Sequence, residues 1–308
     1  MTLLMDTQHR HDSAPTAPVI RVSGLTMTYG TRRVLDGIDL EIGMREKIAI
    51  LGPNGAGKST LVETLEGIRR PSSGEVTVLG EVPSTAPEAW KSRIGIVLQS
   101  WRDHGTWRVI DILRYVAAGH RTVGRDDLRD PAEMLAAVGL ADRSRQLIRT
   151  LSGGQRRRLD VACALISRPD VLFLDEPTTG FDPSARRSFH ELMDSIAETT
   201  TIIWATHDLS EAQRMCDRIL VLDGGAIVAD GSPDDLRAAM AGRTTVTWRD
   251  GEGRHSREVD DPRTLLAALS ADPSAVDVEV RRGTLEDAYL AIVARAEASD
   301  QSEQKEAS

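Results

Sequence analysis

Apolar positions along this chain fall into short runs of strand length, separated by stretches with a helical period. Residues 19–29 alternate loosely between apolar and polar, and 34–42 do so again, with Gly30 and Gly37 as turn residues. Two half-buried strands lying near one another are predicted there. Continuous apolar runs at 48–51, 94–98 and 171–174 are too short for helices and read as buried strands, and 75–79 as another short strand. From 101 to about 150 the spacing turns helical, with Ile110, Leu113, Val116 and Ala117, then Met134, Leu135 and Val138. Beyond it, helix 185–197, strand 201–205, helix 209–216 and strand 219–222 alternate. Apolar strands separated by amphipathic helices predict a mostly parallel sheet covered on both faces, an α/β fold. Past Gly242 the texture changes: short strands at 244–248, 258–259 and 276–280 and helices at 264–269 and 284–294 predict a small α+β appendage over 243–296. Residues 1–18 read as a disordered leader and 297–308 as a disordered acidic tail, leaving 19–242 as the main domain with a helical insertion over about 101–168.

The chemistry concentrates between the run 48–51 and the periodic residues Leu61, Val62 and Leu65. There stand Gly52, Pro53, Asn54, Gly55, Ala56, Gly57, Lys58 and Ser59, with Thr60 behind them. Strand, glycine loop and helix in that order are the context of a phosphate-binding loop. Glycines let successive backbone N–H groups turn toward one point, and the helix N-terminus adds partial positive charge. Lys58 can reach the β- and γ-phosphates, and the Ser59 hydroxyl can take a place on Mg²⁺. A glycine-rich turn without a ligand explains neither the spacing nor the Lys-Ser ending, so a nucleoside triphosphate is the expected ligand.

The run 171–174 ends in Asp175, Glu176 and Pro177. In an open parallel sheet the C-terminal strand ends are where ligands bind. Neighbouring strand residues face opposite ways, so Asp175 can hold Mg²⁺ while Glu176 faces a nucleophilic water. Leu151, Ser152, Gly153, Gly154 and Gln155 form a second helix start. Ser152 with Gln155 three residues on is a capping box, a sufficient reason for those two. It does not explain two glycines, which would let a phosphate approach a second helix N-terminus. One chain with one triphosphate loop has no use for such an end, whereas two subunits sharing a nucleotide do.

Composition narrows the partners. The 308 residues carry a net charge of −9, against a chain whose main work is gripping nucleic acid. Cys163 and Cys216 lie in apolar helical settings without metal-ligand spacing and read as inert thiols. No stretch approaches the roughly 20 apolar residues that span a bilayer, and the N-terminus lacks the apolar core of a secretory signal. A soluble, cytoplasmic chain is expected, any membrane role passing through a partner.

Taken together, the loop, Gln99, the Leu151–Gln155 motif, Asp175-Glu176-Pro177, Gly180-Phe181-Asp182 and His207 resemble, in order, the ATP-binding subunits of ABC transporters over residues 19–240. The resemblance implies a P-loop ABC-type domain with an antiparallel β subdomain, ATP and Mg²⁺ as cofactors, and ATP hydrolysis. It implies that Tyr29 stacks on adenine, unless it is an ordinary strand-end tyrosine. Gln99 would meet Mg²⁺ and the attacking water, and His207 the γ-phosphate. Asp182 would bridge two subunits, and Ser152, Gly153 and Gly154 would grip the neighbour's γ-phosphate. Glu176 is the expected general base. Implied partners are a transmembrane permease and a second ATP-binding subunit at the cytoplasmic face of the membrane, with no nucleic acid.

Residues 155–162 and the late 283–290 resemble the bacterial drug-export branch, the daunorubicin-resistance type; the arginine run at 156–158 alone reads as a solvated helix face. Cargo would then be drug-like or lipid-like, with carbohydrate and peptide open. A soluble relative acting on ribosomes or DNA is the main rival, disfavoured because the chain carries one cassette and no heptads or cysteine clusters. Two departures stand out. Phe181 sits where Leu is usual, an exchange that should be tolerated. Residues 100–107 lack the usual wording, so Trp101 and Trp107 are either interface anchors or buried packing.

Overall fold

The computed structural model describes residues 17–97, 104–240, 244–251, 253–259 and 261–282, with Glu286 and Tyr289. Gln99, Trp101, most of the leader, the tail and most of the expected helix 284–294 lie outside the described residues. In chain order come strands β1 (Ile20–Tyr29), β2 (Arg32–Ile42) and β3 (Lys47–Leu51), helix α1 (Lys58–Leu65), β4 (Ser73–Val78), α2 (Glu88–Lys91) and β5 (Ile94–Val97). Helices α3 (Val109–Thr122), α4 (Pro131–Ala137) and α5 (Gly153–Leu165) form the insertion. Then follow β6 (Val171–Asp175), α6 (Pro183–Ala197), β7 (Thr201–Thr206), α7 (Leu209–Met215), β8 (Arg218–Asp223), β9 (Ala226–Gly231) and α8 (Pro233–Met240). The appendage holds β10 (Thr244–Asp250), β11 (Gly253–Val259), α9 (Pro262–Ala271) and β12 (Val276–Arg282).

The central sheet has the order β5-β6-β7-β3-β8-β9. All its pairings are parallel except β8 with β9. Because side chains alternate along a strand, this sheet feeds two cores. Ala49 and Leu51, Leu172 and Leu174, Ile202 and Trp204, Ile219 and Val221 face one core, shared with Leu113 of α3, Leu159 of α5 and Met193 of α6. Ile48 and Ile50, Phe173, Ile203, Leu220 and Leu222 face the other. There Leu61 and Leu65 of α1 lie between the sheet and the antiparallel β2-β1-β4 layer. Each of these side chains is essentially fully buried, and each buried Val, Leu, Ile, Phe or Met among them is worth about 1.5–3 kcal/mol relative to exposure. Phe181 enters the first core edge-to-face with Phe189, centroids 5.5 Å apart, so the bulky exchange is absorbed by packing.

Two elements differ from the sequence expectation. Strand β9 returns antiparallel to β8 through Gly224 and Gly225, both at positive φ, and most of its residues are half-buried; its apolar run, 226–229, was passed over. Strand β11 pairs with all seven residues of β10, well beyond the expected 258–259, but its sequence GRHSREV is almost wholly polar. In the appendage Val246 is fully buried and Trp248 stacks on His255. Tyr289 packs against the first core of the main domain. No helix among the described residues is long and apolar enough to cross a membrane.

Candidate functional site

Strand β7 lies between β3 and β6, so the C-terminal ends of three neighbours carry the loop 52–57, Thr206 with His207, and Asp175 with Glu176 along one sheet edge. The loop needs glycine for two different reasons. Gly55 and Gly57 sit at φ +88° and +104°, turning backbone N–H groups inward. Gly52 is excluded from carrying a side chain by packing instead: a Cβ there would lie 2.1 Å from the Leu222 carbonyl oxygen. The Lys58 ammonium folds back on the loop, donating to the carbonyls of Gly52 at 2.7 Å and Pro53 at 3.0 Å. A cleft of about 310 Å³ opens here, lined by Asn54, Gly55 and residues 57–60, by Asp175 and Glu176, and by Tyr29, Arg32 and Val34. Behind the loop, the guanidinium of Arg69 stands 5.4 Å from the Tyr29 ring centroid.

Charge in the cleft is poised around the two acids. Burial, then the neighbouring Glu176, push the Asp175 carboxyl above its usual range, against the pull of Arg157 and Lys58. Burial lowers the Lys58 ammonium, with Glu176 and Asp175 opposing. Glu176 itself takes an uncommon backbone, φ 49°, left-handed and non-glycine. Its N–H donates to the Ala205 carbonyl at 2.9 Å. Its Oε1 accepts from the His207 backbone N–H at 2.9 Å and lies 2.6 Å from His207 Nδ1. Glu176 and His207, separated by 31 positions, therefore form one unit. The His207 side chain remains 70% exposed, against 15% for Glu176, so the imidazole faces outward from this contact.

Ser152, Gly153, Gly154, Gln155 and Asp182 do not line the cleft of their own chain. The capping box is present: Gln155 N–H donates to Ser152 Oγ at 3.3 Å, and Ser152 N–H to Gln155 Oε1 at 3.0 Å. The two glycines divide in purpose. Gly153 has nothing within 4 Å of a hypothetical Cβ, whereas at Gly154 that atom would lie 2.8 Å from the Gly180 carbonyl oxygen. Close packing inside the chain thus accounts for Gly154, and only Gly153 is left to openness toward a ligand. Asp182 caps α6, its Oδ1 accepting from the N–H groups of Ser184 and Ala185.

The arginine run is not a solvated face. Arg157 is 7% exposed, Arg156 pairs with Asp160 at 3.2 Å, and Arg158 donates to the Val138 and Gly139 carbonyls. Sequence reading also passed over Arg32 and Val34, which only the β1–β2 hairpin brings to the cleft. It passed over Glu211 as well, a buried acid accepting from Thr178 Oγ1 at 2.6 Å and Trp204 Nε1 at 3.2 Å. Burial raises that carboxyl and hydrogen bonds from His190, Thr178 and Trp204 outweigh it, leaving it below its usual range. Its place four residues after His207 was the available signal. Trp107 is half-buried against the first core, edge-on to the exposed Tyr115 with centroids 5.2 Å apart. Cys163 and Cys216 are buried, and burial pushes both thiols up, that of Cys163 to about 12.

A family model described as ABC transporter matches residues 35–179. The daunorubicin resistance ATP-binding protein DrrA3 of Streptomyces coeruleorubidus is 35% identical, over 88% of this chain and 94% of its own. The chain belongs to the ABC transporter ATP-binding family. This ABC cassette is also 35% identical to the Nod factor export ATP-binding protein I of Cupriavidus pinatubonensis, over 93% of this chain and 97% of that one. Among solved structures, the ATP-binding subunit of an ABC transporter superposes with a TM-score of 0.65 at 25% identity, covering 72% of this chain and 93% of that one. A cassette solved as a dimer in a post-hydrolysis state with ADP and Pi shares the fold, at TM-score 0.62 and 23% identity, covering 69% and 98%. The cassette binds and hydrolyses ATP.

Proposed function

We propose that this cassette drives an export permease carried on another polypeptide at the cytoplasmic face of the cell membrane, for drug-like or lipid-like cargo. Two cassettes, identical or one with a close homologue, would close head-to-tail over two bound ATP molecules. The observation that carries the reading is the joining of Glu176 to His207 at the edge of the phosphate cleft. Relatives named for drug resistance and for export support the choice of cargo direction.

In this reading Tyr29 stacks on adenine, the loop 52–57 and Lys58 cradle the phosphates, and Glu176 takes the proton of the attacking water. The water oxygen bonds to the γ-phosphorus as the bond to the bridging oxygen breaks, its electron pair leaving with ADP. His207, held through Glu176, faces the γ-phosphate. Ser59 and Asp175 fit Mg²⁺: both line the cleft with hard oxygen donors, and a cation would relieve the charge that burial and Glu176 impose on Asp175. Bound there, Mg²⁺ would offset the charge that builds on the phosphates. Gln99 would join that shell and report nucleotide state to the permease. Ser152 and Gly153, exposed at the start of α5, the half-buried Gln155, and Asp182 would meet the nucleotide and phosphate loop of the other subunit.

Lys58→Ala removes a cation aimed at the phosphates. A charge-assisted hydrogen bond contributes about 1.5–3 kcal/mol, so MgATP binding weakens roughly 10–100-fold, read by titration calorimetry on the folded variant. The shared-nucleotide arrangement is tested with Glu176→Gln, which should hold ATP uncleaved if Glu176 is the base. Saturated with MgATP, that protein should shift from monomer to dimer in light scattering, and co-purify from detergent-solubilised membranes with a companion chain of several apolar spans. A strict monomer, even beside its membrane companions, overturns the proposal.

A further inference from the structure

The buried arginine of the run at 156–158 has a partner that its sequence gives no reason to expect. Arg157 belongs to α5, the helix that begins at Ser152, yet its guanidinium reaches the end of β6. Nη2 donates to the Asp175 carbonyl and Nε approaches the Pro177 carbonyl at 3.4 Å. These are the two carbonyls on either side of Glu176. From the other flank, Ala205 of β7 accepts the Glu176 N–H. The backbone held between them is the left-handed, non-glycine one, a conformation that persists only where its surroundings over-determine it.

We propose that Arg157 is a positioning residue for hydrolysis: it clamps the Glu176 backbone from the helix whose N-terminus meets the partner's nucleotide. The proposal rests on Glu176 being the general base. A buried guanidinium is a costly way to fill space, since an apolar side chain of similar volume serves packing at least as well; its planar fork is suited to two carbonyls at once. A second contact ties the same helix to the same loop, for Gly154 packs against the Gly180 carbonyl. Rotation or translation of α5 on closing over a nucleotide is therefore passed to the backbone on both sides of the base. Catalysis is sensitive to such shifts, a misplacement of about 1 Å being able to cost on the order of 10²-fold.

The test uses the full-length chain and three variants, Arg157→Met, Arg157→Lys and Arg157→Met combined with Glu176→Gln. Arg157→Met should lower kcat about 10–100-fold with MgATP affinity within about twofold of the parent, the signature of an interaction made only in the transition state. Amide exchange of the peptide spanning 175–179 should quicken, while that of 47–65 stays as in the parent. In the Glu176→Gln background the same change should cost no further turnover, because both act through one group. Arg157→Lys keeps the charge but not the fork, so it should fall between; should the Met variant not fold, a drop of at least threefold in the Lys variant at unchanged affinity carries the proposal. Turnover within twofold of the parent in a folded variant, or a loss that multiplies with that of Glu176→Gln, overturns it. Near-normal hydrolysis by Glu176→Gln alone would instead remove the base assignment, so the two failures are told apart.

Discussion

Glu176→Gln lowers kcat by about 10²–10⁴-fold, the usual worth of a positioned proton acceptor, and leaves MgATP affinity within about twofold. Glutamine retains a side-chain oxygen that can accept from the His207 N–H, as Glu176 Oε1 does at 2.9 Å. The Glu176 N–H bond to Ala205 involves only backbone and is untouched. Glutamine also has nearly the same volume and the same freedom at positive φ. What is lost is the capacity to take a proton, together with the negative charge that bears on Asp175 and Lys58. A strand-end acid that merely caps the turn before Pro177 would lose nothing measurable in turnover, so single-turnover hydrolysis of radiolabelled ATP separates the two. Affinity comes from calorimetry on the same preparation, which keeps a folding defect from passing as a catalytic one.

The phosphate loop and the acids of β6 were legible because each is a local pattern with one geometric meaning: an apolar run ending in glycines, and an apolar run ending in carboxylates. The parallel sheet makes them neighbours without further information, since β3, β7 and β6 lie side by side. The capping box at Ser152 was legible for the same reason. What stayed hidden depends on distance across the fold. That Gly154 answers to Gly180, and Arg157 to carbonyls 18 and 20 positions away, cannot be read from spacing along a helix. On α5 alone, three successive arginines look solvated; the packing of α5 against the end of β6 buries the middle one. Strand β11 was read only at its last two residues, 258–259, for a compositional reason: a polar edge strand owes its existence to backbone pairing with β10 rather than to apolar alternation. Arg32 and Val34 join the site because the β1–β2 hairpin brings Arg32 opposite Tyr29.

Gly52→Ala is the most disruptive single methyl group this cassette can receive at its site. Gly52 has no positive φ to defend, so the substitution is not resisted by backbone strain; it fails on space alone. The new Cβ would stand 2.1 Å from the Leu222 carbonyl oxygen and 3.3 Å from the Ala56 Cβ. Leu222 cannot yield, because β8 is hydrogen-bonded to β3 on one side and β9 on the other. The loop must move instead, and it carries the backbone N–H groups that would meet the phosphates in the proposed site and the carbonyl that anchors Lys58. Overpacking of this kind costs about 1–3 kcal/mol, so the melting temperature should fall by roughly 2–5 °C. Affinity for MgATP should fall by at least about tenfold, the worth of one charge-assisted hydrogen bond. Gly153→Ala is the matched control: it places the same methyl group where nothing lies within 4 Å, and its melting temperature should stay within about 1 °C of the parent. Thermal unfolding and nucleotide titration of the two variants side by side decide the point, and an unchanged midpoint and affinity in Gly52→Ala would mean that the phosphate loop does not rest on the β8 backbone.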